Sequence, residues 1–222
     1  MVEKRVEHPG SPARLPRTFY ARPAEVVAQE LLGCLLVHRL QGREGGEIVA
    51  GRIVEAEAYV GQEDRACHAH AGKTARNAVM YGPPGHAYVY FIYGMYDMMN
   101  VVCQPAGRPE AVLLRALEPV LGTQAMYRRR RAARRDHDLT NGPGKLCRAL
   151  GITRTLNGAD LCGTDLWIAP PAGDGDSRAV VPRLPNSSIA RGPRIGIDYA
   201  GPDAARPLRF WIVGNPYVSR AT

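Results

Sequence analysis

The chain has 222 residues, 45% of them hydrophobic, which is enough for one well-buried core. Its net charge is +8, and only Lys4, Lys73 and Lys145 are lysines, so arginine carries nearly all the positive charge and polyanions become plausible partners. Five dispersed cysteines (Cys34, Cys67, Cys103, Cys147, Cys162) with no C-x-x-C pair argue against a disulfide scaffold or a cysteine zinc site and favour a reducing, intracellular setting. No stretch has the length or apolarity of a signal peptide or membrane span.

Residues 1–16 read as a loose polar arm, leaving 17–222 as a single domain. From Pro23, the spacing of Val26, Val27, Leu31 and Leu32 is helical, and Gly33 supplies a stop. Two apolar runs, Cys34 to His38 and Ile48 to Tyr59, flank Gly42, Gly45 and Gly46 and suit a hairpin. Strict alternation along the second run puts Ile53, Glu55, Glu57 and Tyr59 on one face, so two carboxylates follow an apolar position where a plain core strand would stay apolar. Such a pair is more often solvent-facing, but beside an aromatic it can also supply a general base.

Residues 61–86 are glycine-rich and aperiodic, and a loop of that length in a compact domain is usually functional or disordered. His68 and His70 within it could share a strand face, but two histidines lacking a third ligand at a recognisable spacing make a poor zinc signature. The following run, AYVYFIYGMYDMMNVVCQ, predicts a hairpin with Tyr93, Gly94, Met95 and Tyr96 at its tip, where polar residues are usual. Tyr88 and Tyr90 share a face and offer either ordinary core packing or a stacking platform for a base.

Residues 111–117 predict a buried strand interrupted by Arg115, whose guanidinium, if buried, needs an anionic partner or a bound anion, with Glu57 the natural candidate; an edge-strand arginine pointing to water, or a purely structural ion pair, fits the sequence equally well. One helix is predicted after Gly122, carrying Arg128 to Arg131, Arg134 and Arg135 and ending before Asn141; a second starts near Pro143 with Lys145 and Arg148 on its polar side. Arg128, Arg131, Arg134 and Lys145 are the candidate phosphate contacts, against the plainer reading of a solvated charged face. The last third predicts short strands at 166–169, 194–198 and 208–213 between proline-rich loops, above all residues 170–193. Together these elements predict a mixed α/β domain with a curved, mainly antiparallel sheet and helices around it.

The segments GRIVEAEAYVGQEDRACHAH, AYVYFIYGMYDMMN, VLLRALEP, NGPGKLCRAL and RPLRFWIVGNPYVS, in this order from about Thr18 to Ser219, resemble the alkyladenine (3-methyladenine) DNA glycosylase family of the mammalian type. The resemblance implies a base-excision-repair enzyme that flips a damaged purine out of double-stranded DNA and hydrolyses its bond to the sugar. It implies no cofactor or metal and no membrane. Glu57 then matches the general base, and Arg115, with the main-chain carbonyl at Ile195, helps position the attacking water. Tyr59, His68 and Tyr90 match the walls around the flipped base, the backbone near His68 and Ala66 reads its edge, and Asn100 obstructs the 2-amino group of guanine. Tyr93 matches the side chain that fills the vacated space in the duplex, with Met95 beside it. No lysine falls on a matched catalytic position, so a water-using, monofunctional enzyme is expected. A monomer is expected as well, because the substrate makes no two-fold demand. A noncatalytic nucleic-acid binder using the same tyrosines and arginines, and a metal-dependent hydrolase built on His68 and His70, are the competing readings.

Overall fold

The structure is a computed structural model that describes residues 13–41, 46–171 and 184–219. Residues 1–12 of the expected arm, Gly42 and Gly45 of the expected hairpin turn, and 172–183 of the proline-rich loop lie outside the described residues. Eight strands, β1 (Leu35–Leu40), β2 (Glu47–Tyr59), β3 (Ala87–Ile92), β4 (Tyr96–Cys103), β5 (Glu110–Leu121), β6 (Leu166–Ala169), β7 (Ile189–Gly192) and β8 (Arg209–Ile212), pair antiparallel throughout. The order is β3-β4-β5-β2-β1-β6, with β8 joining the far end of β2 and β7 joining β8. Among the described residues, five α-helices accompany them: α1 (Arg17–Tyr20), α2 (Ala24–Leu31), α3 (Thr123–Arg129), α4 (Asp136–Thr140) and α5 (Pro143–Leu150).

Period-two alternation divides the residues of the central strands between two faces. Ala56 and Ala58 of β2, Val89 of β3, Met99 and Val101 of β4, and Val112 and Leu114 of β5 join one large core with Val27 and Leu31 of α2, Met126 of α3, Leu139 of α4 and Leu146 and Leu150 of α5. The opposite face carries Tyr88, Val102 and Ala111, packed with Cys67, Ala69 and Met80 from the segment between β2 and β3. The helices therefore back the sheet on one side, and the long segment covers the other. Asn77 holds that segment folded by donating Nδ2 to the carbonyls of His68 and Gly72 at 2.8 and 2.9 Å.

Four local differences from the sequence-based expectation have physical causes. First, Ile53 does not share a face with Glu55: Ile53 pairs with Leu117 but Glu55 pairs with Ala116, and then Ala56 pairs with Leu114. Val54 on β2 and Arg115 on β5 are each passed over, so paired bulges turn Ile53 into the helix-backed core while Glu55, Glu57 and Tyr59 face the other way. Second, the arginine-rich segment is two helices rather than one. α3 closes at Arg130, whose N–H bonds back to Met126 and Tyr127, and six residues rich in like charge separate it from α4. Third, residues 194–198 are not a strand: the β7 ladder stops at Gly192, and Pro193 has no N–H with which to continue it. Fourth, residues 13–16 of the expected arm are docked, with Leu15 buried and its N–H bonded to the Ile168 carbonyl at 2.9 Å.

Candidate active site

Glu57 lies on the pocket side of β2 with no solvent exposure. Its Oε1 accepts the Ile195 main-chain N–H at 2.9 Å and faces Nη1 of Arg115 at 3.3 Å; its Oε2 accepts the Tyr59 hydroxyl at 3.0 Å. Burial raises the pKa of this carboxyl, and Arg115, the Ile195 N–H and the Tyr59 hydroxyl oppose that rise. Tyr59, Arg115 and Ile195 all line a pocket of about 230 Å³, so Glu57 sits directly behind its wall. Burial also keeps the Tyr59 phenol protonated, as a donor to Glu57 must be.

Two buried ion-pair assemblies hold this arrangement. Behind Glu57, the Oε1 of Glu55 accepts Arg209 Nε at 2.6 Å and its Oε2 accepts the N–H and hydroxyl of Ser219 at 2.8 and 2.6 Å. Beside Tyr59, Arg194 clamps both oxygens of Asp64, donates to the Ala58 carbonyl at 2.9 Å and lies 4.7 Å from the Tyr59 ring. Asp64 also accepts the N–H groups of Val60 and Ala66 at 3.2 and 3.1 Å. One ion pair thereby joins the end of β2, the start of the long segment and the residue before Ile195. Neither assembly has a sequence signature, because the partners are 130 and 154 residues apart.

The pocket walls are aromatic. His68 and Tyr90 meet with ring centroids 4.5 Å apart, and His68 Nδ1 stands 2.9 Å from the Tyr88 hydroxyl. Burial, with help from nearby Arg76, pushes the His68 imidazole down to about 4, so the ring is neutral at physiological pH. Asn100 lines the same space from β4 and donates Nδ2 to the Tyr88 carbonyl at 3.3 Å; Ala66, Cys67 and Met80 close it from the long segment. His70 does not join His68: its Nδ1 faces the Gln62 carbonyl at 2.7 Å. Among the described residues, no three His, Cys, Asp or Glu side chains gather where they could hold a metal ion.

The β3–β4 turn projects from the rim. Tyr93 has φ +53 and Gly94 φ +66, the left-handed pair a type I′ turn needs, and the Met95 N–H bonds to the Ile92 carbonyl at 3.2 Å. An aromatic residue in that conformation is an outlier, and yet Tyr93 buries little in return, being 75% exposed while its side chain borders the pocket. Met95 beside it is 64% exposed. The hairpin is braced from behind by α5: a Cβ on Gly144 would stand 2.7 Å from Tyr96, so only glycine lets the helix lie this close.

The cations divide into two groups. Pro143 lines the pocket and Lys145 follows in the same first turn of α5, bonded to Asn141 at 2.8 Å; Arg76 lies over Tyr90 and Arg154 over Phe91, the latter also facing Asp97 at 3.7 Å. The arginine run is elsewhere. Arg128 pairs with both oxygens of Glu47, ten residues before Glu57 on β2 and so about 30 Å away at the usual strand rise. Arg131 lines a separate cleft with Arg128, Arg129, Arg130 and Arg148, and Arg134 follows on the exposed connection to α4.

Similarity to known proteins extends over nearly the whole chain. The family model described as Methylpurine-DNA glycosylase (MPG) matches residues 18–216. Relatives named "Putative 3-methyladenine DNA glycosylase" include one from Methanocella arvoryzae, 51% identical across 93% of this chain and 96% of its own length, one from Myxococcus xanthus, 48% identical across 93% of each, and one from Legionella pneumophila (strain Lens), 46% identical across 93% and 98%. The protein is a DNA glycosylase, a hydrolase of N-glycosyl bonds acting in base-excision repair. Within that class, the chain belongs to the methylpurine-DNA glycosylase family.

Proposed function

We propose that the protein, acting as a monomer inside the cell, everts an alkylated or deaminated purine from duplex DNA and hydrolyses its N-glycosidic bond with a water activated by Glu57, leaving an abasic site. The observation that carries this reading is Glu57 itself, a fully buried carboxylate held by Arg115, Tyr59 and the Ile195 N–H behind an aromatic pocket. Of the buried carboxylates Glu55, Glu57 and Asp64, it is Glu57 whose partners Tyr59, Arg115 and Ile195 all line the pocket, which supports a chemical role for it. The 17–222 segment is the catalytic domain in this reading.

The pocket is smaller than the roughly 300–1,000 Å³ of sites for drug-sized ligands and fits a single base between Tyr59, His68 and Tyr90. Neutral His68 adds no positive charge of its own to the pocket, which suits a cationic alkylated purine. Asn100 projects where a guanine 2-amino group would sit, and the backbone about Ala66 and His68 reads the base edge. Tyr93 and Met95 enter the duplex and occupy the space of the extruded nucleotide, offsetting an unstacking cost of a few kcal/mol.

As the C1′–N bond breaks, its electron pair leaves with the base and C1′ gains oxocarbenium character. The Glu57 carboxylate stabilises that charge and takes a proton from the water that adds to C1′, while Arg115 and the Ile195 carbonyl hold the water. Neither Lys145, near Asn141, nor Lys73, over Tyr81, is among the groups around Glu57, which supports a monofunctional enzyme. Lys145 contacts phosphates near the lesion, whereas Arg128, Arg131 and Arg134 reach the flanking duplex, about 30 Å corresponding to nearly one turn of DNA.

The test is incubation, in chelator, with duplexes each carrying one hypoxanthine, ethenoadenine, 7-methylguanine or 3-methyladenine analogue. Strand cleavage at the lesion only after alkali, with no covalent adduct in borohydride, is the expected result. A borohydride-trapped adduct would overturn the water mechanism, and tight lesion binding without any abasic product would move the protein to the class of noncatalytic binders.

A further inference from the structure

Arg115 is the group that lies between the two buried carboxylates, and its orientation is fixed from behind by a residue 104 positions further along the chain. Its Nε–H donates to the Ser219 hydroxyl oxygen at 3.1 Å, and the single proton of that hydroxyl goes to Glu55 Oε2 at 2.6 Å. A hydroxyl whose proton is committed to a carboxylate can only accept from the guanidinium, so the direction of the Nε–H bond is set. The guanidinium is planar, and setting Nε–H sets the whole fork, including Nη1 at 3.3 Å from Glu57. Glu55 could instead draw Arg115 to itself, but Arg209 occupies Oε1 at 2.6 Å against 3.5 Å for Arg115, and Arg209 Nη2 donates to the Ser219 carbonyl at 3.2 Å.

We infer that Glu55, Arg209 and Ser219 form a positioning unit for Arg115, with Ser219 as its key, which holds the guanidinium on the Glu57 side of the pocket. Their contacts with the site run through Arg115, from Ser219 Oγ at 3.1 Å and Glu55 Oε1 at 3.5 Å, so they act through Arg115 rather than on the substrate. The inference rests on the proposed roles of Glu57 and Arg115 and adds to them a determinant of rate that lies outside the base pocket.

A merely structural role and a positioning role predict different pH–rate profiles. The titratable groups about Glu57 are Glu55 and Tyr59 on β2, Arg115 on β5, Tyr90 on β3 and Arg194 beside Ile195. Arg115 lowers the Glu57 pKa and the Glu55 charge raises it. Ser219→Ala releases Arg115 towards Glu55, which lifts the acidic limb to higher pH. Glu55→Gln removes the competing charge and leaves Arg115 to Glu57, which moves the same limb to lower pH.

The experiment uses the full chain and a hypoxanthine duplex, with single-turnover base release measured from about pH 5 to 9, alongside duplex affinity and melting temperature. Ser219→Ala is expected to slow base release about 10- to 100-fold, the order of loss a small misplacement of a working group causes, with affinity retained and the acidic limb raised. Ser219→Thr restores both. Wild-type rates in Ser219→Ala, or a loss that tracks the melting temperature with an unmoved limb, overturn the inference. Should Ser219→Ala melt below the assay temperature, Glu55→Gln decides by whether its limb moves downward or stays. Glu57→Gln is measured in parallel: its activity would overturn the underlying assignment, whereas an inactive Glu57→Gln beside an unaffected Ser219→Ala overturns the positioning unit alone.

Discussion

Tyr59 donates its hydroxyl to Glu57, two residues earlier on the same strand, at 3.0 Å. The ring that lines the pocket therefore also tunes the carboxylate behind it, and Tyr59→Phe separates the two tasks. The phenyl ring keeps its stacking surface, but Glu57 loses a bond that lowers its pKa. With Glu57 working as the carboxylate, as proposed, the acidic limb of single-turnover base release is expected to move to higher pH in Tyr59→Phe, while the rate above that limb stays near wild type. An unmoved limb would show that the hydroxyl does not act on Glu57.

The same burial has a cost in stability. A carboxyl whose folded pKa is raised favours the folded state below its unfolded value near 4.3, and that contribution is lost as pH rises through the folded pKa. Glu57→Gln, with no charge to bury, should thus melt at or above the wild type at pH 7, with the difference closing as the pH falls towards 4. A mutant clearly less stable than wild type at pH 7 would mean that the bonds to Arg115, Tyr59 and Ile195 outweigh the desolvation.

At the hairpin tip, Tyr93 combines a left-handed backbone with an exposed ring. Tyr93→Asn suits that backbone better and removes the ring. The melting temperature should hold or rise, while affinity for lesion duplex falls by about 1–3 kcal/mol, the worth of one aromatic–base stack. Affinity unchanged within error would remove Tyr93 from the DNA interface.

Asp64 and Arg194 both have fully buried side chains, so deleting one charge strands the other. Asp64→Asn should cost about 3–5 kcal/mol in urea unfolding, with Ile195 and Ala66 losing their shared anchor. A cost below about 1 kcal/mol would mean that water or a neighbouring acceptor replaces the carboxylate.

Much of the site was readable because strand alternation is a local rule. It put Tyr88 and Tyr90 on one face, Glu55, Glu57 and Tyr59 on another strand's matching face, and Tyr93 at a turn, and all of these meet in or behind one pocket. Alternation failed at Ile53 because the paired bulges at Val54 and Arg115 depend on both strands at once and leave no mark in either. The anionic partner of Arg115 could be guessed from its apolar neighbours, but Ser219, Arg209 and Arg194 could not, since long-range ion pairs have no period. The arginine run was legible as charge and misleading as place: one continuous helix was expected, but α3 ends at Arg129, and Arg128 is anchored to Glu47 far along β2 from Glu57.

In the proposed function, Glu57 drives base release rather than base recognition. Single-turnover release from a hypoxanthine duplex, compared between wild type and Glu57→Gln with duplex affinity measured on the same samples, tests it most directly. Glu57→Gln is expected to lose at least about 10²–10⁴ in rate, the usual worth of a general base, with affinity retained; release at close to the wild-type rate would remove Glu57 from the chemistry.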